Sequence, residues 1–447
     1  MSTPSLSPRA RYAVLFAAIG GLLFDGVELG LMPVASLSVS QSLLGDAYTP
    51  TLGGDWFARF TAALMLGAAV GGIFLGSLGD RIGRTRALGI SILFYSVFAG
   101  LGALVRTQEQ MLVLRFLVGL GVGGVWPNAV ALAAECWPDK SRPIVAGLMG
   151  AALNGGILML SQVARTWHIT PESWRWIFWL AAAPAVLGLL VLFALPESPA
   201  WLAARTARPA SSARSADKDG DPNSCCTCNT RMSEGPRGGG SSAINPLREL
   251  LRPPLLRLLL IGILLGSIPM VGAWAASKWM IPWADKVGGA TAAGYKAVTQ
   301  GWWALGAVLG SFFGAQIAAW LGRRRAYALI SAGTTALTLL MFLGTAPLQA
   351  SFLPIVFAQG FVATLFFGWL PLYLPELFPT RVRAAGSGIA YNVGRFATAA
   401  GVLMAGVLFD AMDGSYPKVG ATCGLIYLLG LIVIWWAPDT SKRKLQE

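Results

Sequence analysis

The stretch Gly76-Ser77-Leu78-Gly79-Asp80-Arg81-Ile82-Gly83-Arg84-Thr85-Arg86 is a short basic break between two long apolar runs, and its second half comes back later in the chain. Gly83-Arg84-Thr85-Arg86-Ala87 recurs 239 residues on as Gly322-Arg323-Arg324-Arg325-Ala326. Two further echoes keep nearly the same offset. Glu135-Cys136-Trp137-Pro138, followed by Arg142, returns 241 residues on as Glu376-Leu377-Phe378-Pro379, followed by Arg383. Pro196-Glu197-Ser198 returns 242 residues on as Pro438-Asp439-Thr440. Three matches in one order at almost one spacing indicate two homologous halves, an arrangement that places a ligand near the membrane midplane between them.

Working outward from that break, apolar runs bounded by charges and turn residues divide the chain into twelve predicted spans. The first six cover roughly residues 12–37, 56–78, 87–105, 110–134, 143–165 and 174–195; the second six cover 255–281, 295–320, 326–346, 351–374, 384–409 and 419–437. Each is long enough to cross a hydrocarbon layer of about 30 Å as a helix. Composition agrees: 55% of the 447 residues are hydrophobic and 12% are charged, about half the charge of a soluble domain. The expectation is therefore an all-α membrane protein with twelve transmembrane helices in two homologous six-helix halves, residues 1–195 and 255–447. Residues 196–254, rich in Ala, Ser, Gly, Pro and Arg, read as a partly disordered cytoplasmic linker.

The net charge of +13 does not point to nucleic acid, because most charges lie in the short polar gaps. With the N-terminus inside, fifteen Lys and Arg fall on the inner side outside the linker. The outer loops and helix ends hold at most eight: Arg59, Arg106, Arg165, Arg175, Lys278, Lys286, Lys296 and Lys418. The positive-inside rule then puts both termini in the cytoplasm, most simply at the cell (inner) membrane. The first apolar run is longer than a signal-peptide core and reads as a retained span. Five cysteines, three of them clustered as Cys225, Cys226 and Cys228, give no disulfide framework, and the single His168 is predicted in an outer loop across the membrane from them. No metal and no cofactor is expected.

Two acids interrupt the first span. Leu22 to Pro33 reads LLFDGVELGLMP, so Asp25 and Glu28 stand on one helix face, with Gly26 and Gly30 leaving room for a close neighbour. A charged acid at mid-helix costs about 2.5 to 3.5 kcal/mol, so such residues usually serve a buried ion pair or a proton pathway. Arg395 lies about 16 Å into its predicted span, near the midplane, where a guanidinium suits either a substrate carboxylate or a protein acid such as Asp25. Arg115 lies about 6 Å inside the outer end of the fourth span, near the level of Glu28, while Asp25 is deeper. Asn128, Asn154, Gln162, Gln300, Gln316, Gln359 and Asn392 are further polar candidates within spans. Trp302, Trp303, Trp369 and Tyr391 could pack on an aromatic substrate, with interfacial or core packing the commoner fate of such rings.

The Gly76–Arg86 stretch resembles the signature loop of the major facilitator superfamily. The resemblance implies an inner latch built on Asp80, Arg81, Gly83 and Arg84; Ala319 and Trp320 replace the acid and the first arginine in the second copy. Leu117, Gly119, Gly123, Leu132, Glu135 and Arg142 follow the spacing of the sugar-porter subgroup, supported by Pro196 to Leu202. There Glu135 with Arg142, and Glu376 with Arg383, imply structural or gating pairs at the inner face. Asp25-Gly26-Val27-Glu28 resembles the first-span pattern of the aromatic acid/proton symporters, and Tyr373 to Arg383 with Gly386, Gly388, Asn392, Gly394 and Arg395 resembles their tenth and eleventh spans.

The resemblance also implies that an acid of span one works beside Arg115, with Glu28 the nearer choice and Asp25 the alternative. A carboxylate whose guanidinium partner leaves during a transport cycle can take up and release a proton. The expected function is a secondary transporter, not an enzyme, coupling a small organic acid, aromatic acids included, to protons by alternating access, and working as a monomer. Asp25, Glu28 and Arg115 would couple the proton. Substrate binding would fall to Arg395, Asn392, Asn128, Asn154, Gln300, Gln359, Trp369 and Tyr391. A sugar or polyol porter, and a non-transporting nutrient sensor on the same fold, are the alternatives.

Overall fold

A computed structural model describes residues 7–136, 142–199, 201–202, 249–289, 291–379 and 382–440. Among these, twelve helical spans are long and apolar enough to cross a bilayer. They are α1 (Pro8–Leu44), α2 (Pro50–Ile82), α3 (Arg84–Leu101), α4 (Gln108–Cys136) and α5 (Arg142–Thr166), then α6 (Arg175–Ala194) and α7 (Leu255–Gly288). After these come α8 (Tyr295–Leu321), α9 (Arg323–Leu343), α10 (Phe352–Glu376), α11 (Arg383–Ala411) and α12 (Tyr416–Trp436). Large apolar side chains point outward, Phe193 at 81% and Trp320 at 83% exposure among them. In water that surface would aggregate; against lipid it is the ordinary outer face of a span. The predicted linker with Cys225, Cys226 and Cys228 falls mainly in 203–248 and lies outside the described residues, as do the side chains of Arg142 and Arg383.

Local chemistry sets the helix starts. Ser7 accepts from the Ala10 amide at 3.3 Å ahead of Pro8, and Thr49 accepts from the Leu52 amide at 3.1 Å ahead of Pro50, satisfying N-terminal amides that have no helical partner. At the basic break the chain reverses through Gly83, whose φ of +114° is open to glycine and costly for other residues. Gly322 repeats the turn at +84°. A side chain at Gly83 would also collide with Glu197, which accepts from the Thr85 amide at 2.9 Å and so caps α3 from a distance.

The sequence repeat becomes a repeat of bonds. In the first half Arg84 meets Asp80 at 2.6 Å and Glu135 at 3.4 Å, and Ser198 donates to Glu135. In the second half Arg323 meets Glu376 at 2.8 Å, and Thr440 donates to Glu376 at 2.5 Å. All three sequence echoes thus meet in space, once per half. The arginine described against each glutamate is that of its basic break; the expected pairings with Arg142 and Arg383 lie outside the described residues. These bonds lie within one half, and Arg81, the remaining charged residue of the expected latch, stands exposed.

Two predicted outer-side charges are buried instead. Lys296 bonds Asp285 at 3.0 Å and Ser38 at 3.1 Å, and Lys278 is 1% exposed. The reason is the length of α7: it runs beyond residue 281 to Gly288, through a wide turn at Gly272–Ala276 and a tight one at Ser277–Trp279.

Candidate functional site

The two halves enclose a cavity of about 100 Å³. The first half contributes Asp25 and Leu29 from α1, Met65 and Ala68 from α2, Val122 and Trp126 from α4, and Asn154 from α5. The second half contributes Met270, Trp274 and Lys278 from α7, Trp303 from α8, Phe367 from α10, and Tyr391, Arg395 and Thr398 from α11. Most of the wall is aromatic or aliphatic, and three charged groups stand on it.

α1 delivers Asp25 because Gly26 lets α5 press close: a β-carbon on Gly26 would lie 1.8 Å from the Leu153 carbonyl oxygen, and one on Gly156 would lie 1.7 Å from that of Leu23. Asp25 is buried, Oδ1 has no hydrogen-bond partner among the described residues, and Arg395 and Glu28 are its charged neighbours. Arg395 crosses the boundary between the halves, donating to the Ala68 carbonyl at 2.9 Å, with its guanidinium 5.5 Å from the Tyr391 ring centre.

Glu28 and Arg115 form a buried pair beside the cavity, each 1% exposed. The guanidinium donates to Glu28 Oε2 at 3.1 Å and to the Glu28 backbone carbonyl at 3.2 Å, while Glu28 Oε1 has no described partner. The two acids of α1 are therefore divided: one faces the cavity, the other an arginine.

On the side of the chain termini, a vestibule of about 770 Å³ reaches the basic break through Asp80 and Arg84 and is bounded by the end of α10. Trp126, Tyr391 and Arg395 line both spaces. Trp126 of the first half stacks on Tyr391 of the second, centres 6.4 Å apart and planes 10° from parallel. That pair is a thin partition between cavity and vestibule. On the far side, cross-half bonds close the structure: Lys296 to Ser38 and Gln300 to Ser161 at 3.2 Å.

Of the predicted substrate residues, Arg395, Asn154 and Tyr391 line the cavity, and Asn392 lines the vestibule. Asn154 also donates to Ser311 across the boundary at 2.8 Å. The other four stand elsewhere. Asn128 donates to the Leu75 and Gly124 carbonyls, holding α4 to α2. Gln300 belongs to the far-side seal. Gln359 accepts from Trp303 Nε1 at 2.8 Å and donates to Ser277 at 2.6 Å, one layer behind the wall. Trp369 is buried in the second half, donating to the Arg323 carbonyl at 2.9 Å. Each satisfies a helix–helix hydrogen bond, the usual fate of a polar group in a bundle.

Of the other aromatic candidates, Trp303 reaches the wall and Trp302 is 41% exposed against Phe357. Sequence reading missed Trp126, Trp274 and Lys278. For Lys278 a signal existed, since Trp279-Met280-Ile281-Pro282-Trp283-Ala284 continues the apolar run past it.

The sequence model of a family described as sugar (and other) transporters matches residues 13–447. The chain is 29% identical over 439 residues to a cis,cis-muconate transport protein of Acinetobacter baylyi, covering 96% of each chain. It is 28% identical over 399 residues to a gallate transporter of Pseudomonas putida, covering 87% of this chain and 83% of that one. The xylose transporter of E. coli, in a partially occluded inward-open conformation, superposes with a TM-score of 0.71 at 16% identity, over 98% of this chain and all of that one. Twelve spans in duplicated halves around a central cavity define a membrane transporter of the major facilitator superfamily. Within it, the chain belongs to the sugar (and other) transporter family, as its match over nearly the whole length shows.

Proposed function

We propose that this transporter carries small organic acids, aromatic and unsaturated ones included, in symport with protons across the cell membrane, with both termini cytoplasmic. The observation that carries the reading is Arg395: a guanidinium on the wall of a mostly apolar cavity between the halves, beside a buried acid. A carboxylate is the natural ligand of such a group, and Trp126, Trp303 and Tyr391 offer faces to a planar carbon skeleton. The names of the muconate and gallate relatives support this choice of substrate class. A neutral polyol would call for several amide groups around it; Asn154 is the one amide on the described wall, and Gln300 and Gln359 bond neighbouring helices.

In the cycle, Asp25 competes with the substrate for Arg395. A like charge about 4 Å away, at an effective dielectric of about 20, opposes entry by about 4 kcal/mol, so a proton on Asp25 precedes the anion. Glu28 and Arg115 supply the second step: separation of the pair on reorientation exposes a carboxylate able to exchange a proton. The halves rock about the cavity, alternately opening the vestibule and the far side.

Purified protein in liposomes with an imposed inward proton gradient tests this. Radiolabelled cis,cis-muconate and gallate should accumulate and xylose should not, and Arg395→Gln should lower acid uptake by about tenfold or more, the loss expected for a charged hydrogen bond. Accumulation of xylose alone would overturn the acid reading. Binding without any uptake would favour a sensor.

A further inference from the structure

Lys278 is used by no step above, yet its ammonium stands on the cavity wall, 1% exposed. Nζ has no hydrogen-bond partner among the described residues. It sits 3.4 Å from the centre of the Trp303 ring and 5.6 Å from that of Trp274. A cation over an aromatic face gains less, even when desolvated, than the burial of an unpaired ion costs. A buried cation with no acid bonded to it among the described residues is suited to an anion that arrives from outside the chain.

Its position is held, not incidental. Lys278 lies in the tight turn that follows the wide turn Gly272–Ala276, the kind of helix irregularity that gathers at functional sites. Gln359 fixes both neighbours, bonding Ser277 Oγ and Trp303 Nε1. Along α7, Gly394 packs against Ser267 and Met270, which sets Arg395 level with the part of α7 just before the wide turn. Lys278 is eight residues farther toward the far side, roughly 12 Å along the helix axis. The cavity therefore has a cation at each end, Arg395 toward the vestibule and Lys278 toward the far side, with aromatic walls between.

We infer that Lys278 is the second anion ligand of the site, making the preferred substrate a dicarboxylate: a short planar acid with one carboxylate on Arg395 and the other on Lys278. The inference rests on the organic-acid reading and narrows it. The charges agree. With Asp25 ionised, the wall carries one net positive charge from Asp25, Lys278 and Arg395; with Asp25 protonated it carries two, matching a dianion.

Sorbate and trans,trans-muconate share one six-carbon diene and differ by a methyl group in place of the second carboxylate. Calorimetric titration of the purified full-length protein with each should show muconate bound more tightly by about tenfold or more. Lys278→Gln should erase that preference by weakening muconate alone, and Lys278→Arg should keep it. Equal affinity for the two acids in the wild type would overturn the inference while leaving acid transport standing, and so would a Lys278→Gln variant that weakens both equally or neither. Binding of neither acid by protein that does bind xylose would remove both readings. The wild-type comparison and Lys278→Arg decide the matter even where Lys278→Gln fails to fold.

Discussion

Asp25 and Glu28 are three residues apart on one helix and end in different company. Glu28 has Arg115, and breaking a buried pair by removing one charge costs about 3 to 5 kcal/mol. Glu28→Gln keeps the shape and a hydrogen-bonding oxygen but cannot exchange a proton. The expected outcome is substrate counterflow close to wild type with loss of gradient-driven accumulation; unchanged accumulation would remove Glu28 from the coupling path. That division was readable in outline, because depth along a helix follows from counting residues at 1.5 Å each. The misreading of Lys278 has the same root. Counting basic residues near span ends treats each as a surface charge, although the apolar residues Trp279 to Ala284 carry α7 on past Lys278, through two irregular turns, to Gly288. Asn128, Gln300, Gln359 and Trp369 show a second limit: an amide or indole in a span needs a partner, and composition does not say whether that partner is a ligand or the next helix.

At the level of elements, the contact of α1 with α5 sets where Asp25 stands. Gly26 and Gly156 face the opposing backbone at distances that leave no room for a methyl group. Gly26→Ala should therefore push the helices apart and destabilise by about 1 to 3 kcal/mol, the usual range for overpacking. It should lower the unfolding temperature of the purified protein, whereas Gly155→Ala, with nothing within 4 Å, should leave it unchanged or slightly raised. Equal unfolding temperatures for the two variants would contradict the tight contact. Small residues around Asp25 signalled that something comes close; they could not say that α5 is what comes, because its own glycines lie far away in sequence.

For the whole molecule, the offset of about 240 residues that links the basic breaks foretold the duplication, and the two arginine–glutamate clusters make it physical. Each ties helix ends together inside one half, so each half is braced at the terminal side while the far side is held by bonds between halves. Lys296 is the charged member of that seal, bonded to Ser38 of α1. Lys296→Ala should shift the population toward far-side opening. With native cysteines replaced, spin labels at Gln41 and Val287 should report longer distances in the variant than in its parent; an unchanged distribution would show that the seal does not depend on Lys296.

The three charges of the cavity have an electrical consequence. A net positive charge on the wall, connected first to one aqueous side and then to the other, feels membrane voltage as though it had moved through part of the field, about 2.3 kcal/mol per 100 mV for a full crossing. On the proposed reading one proton on Asp25 and one dianion cancel that charge, so the loaded transporter would reorient with almost no response to voltage. The empty one would respond, and its return would be the step on which the membrane potential pulls.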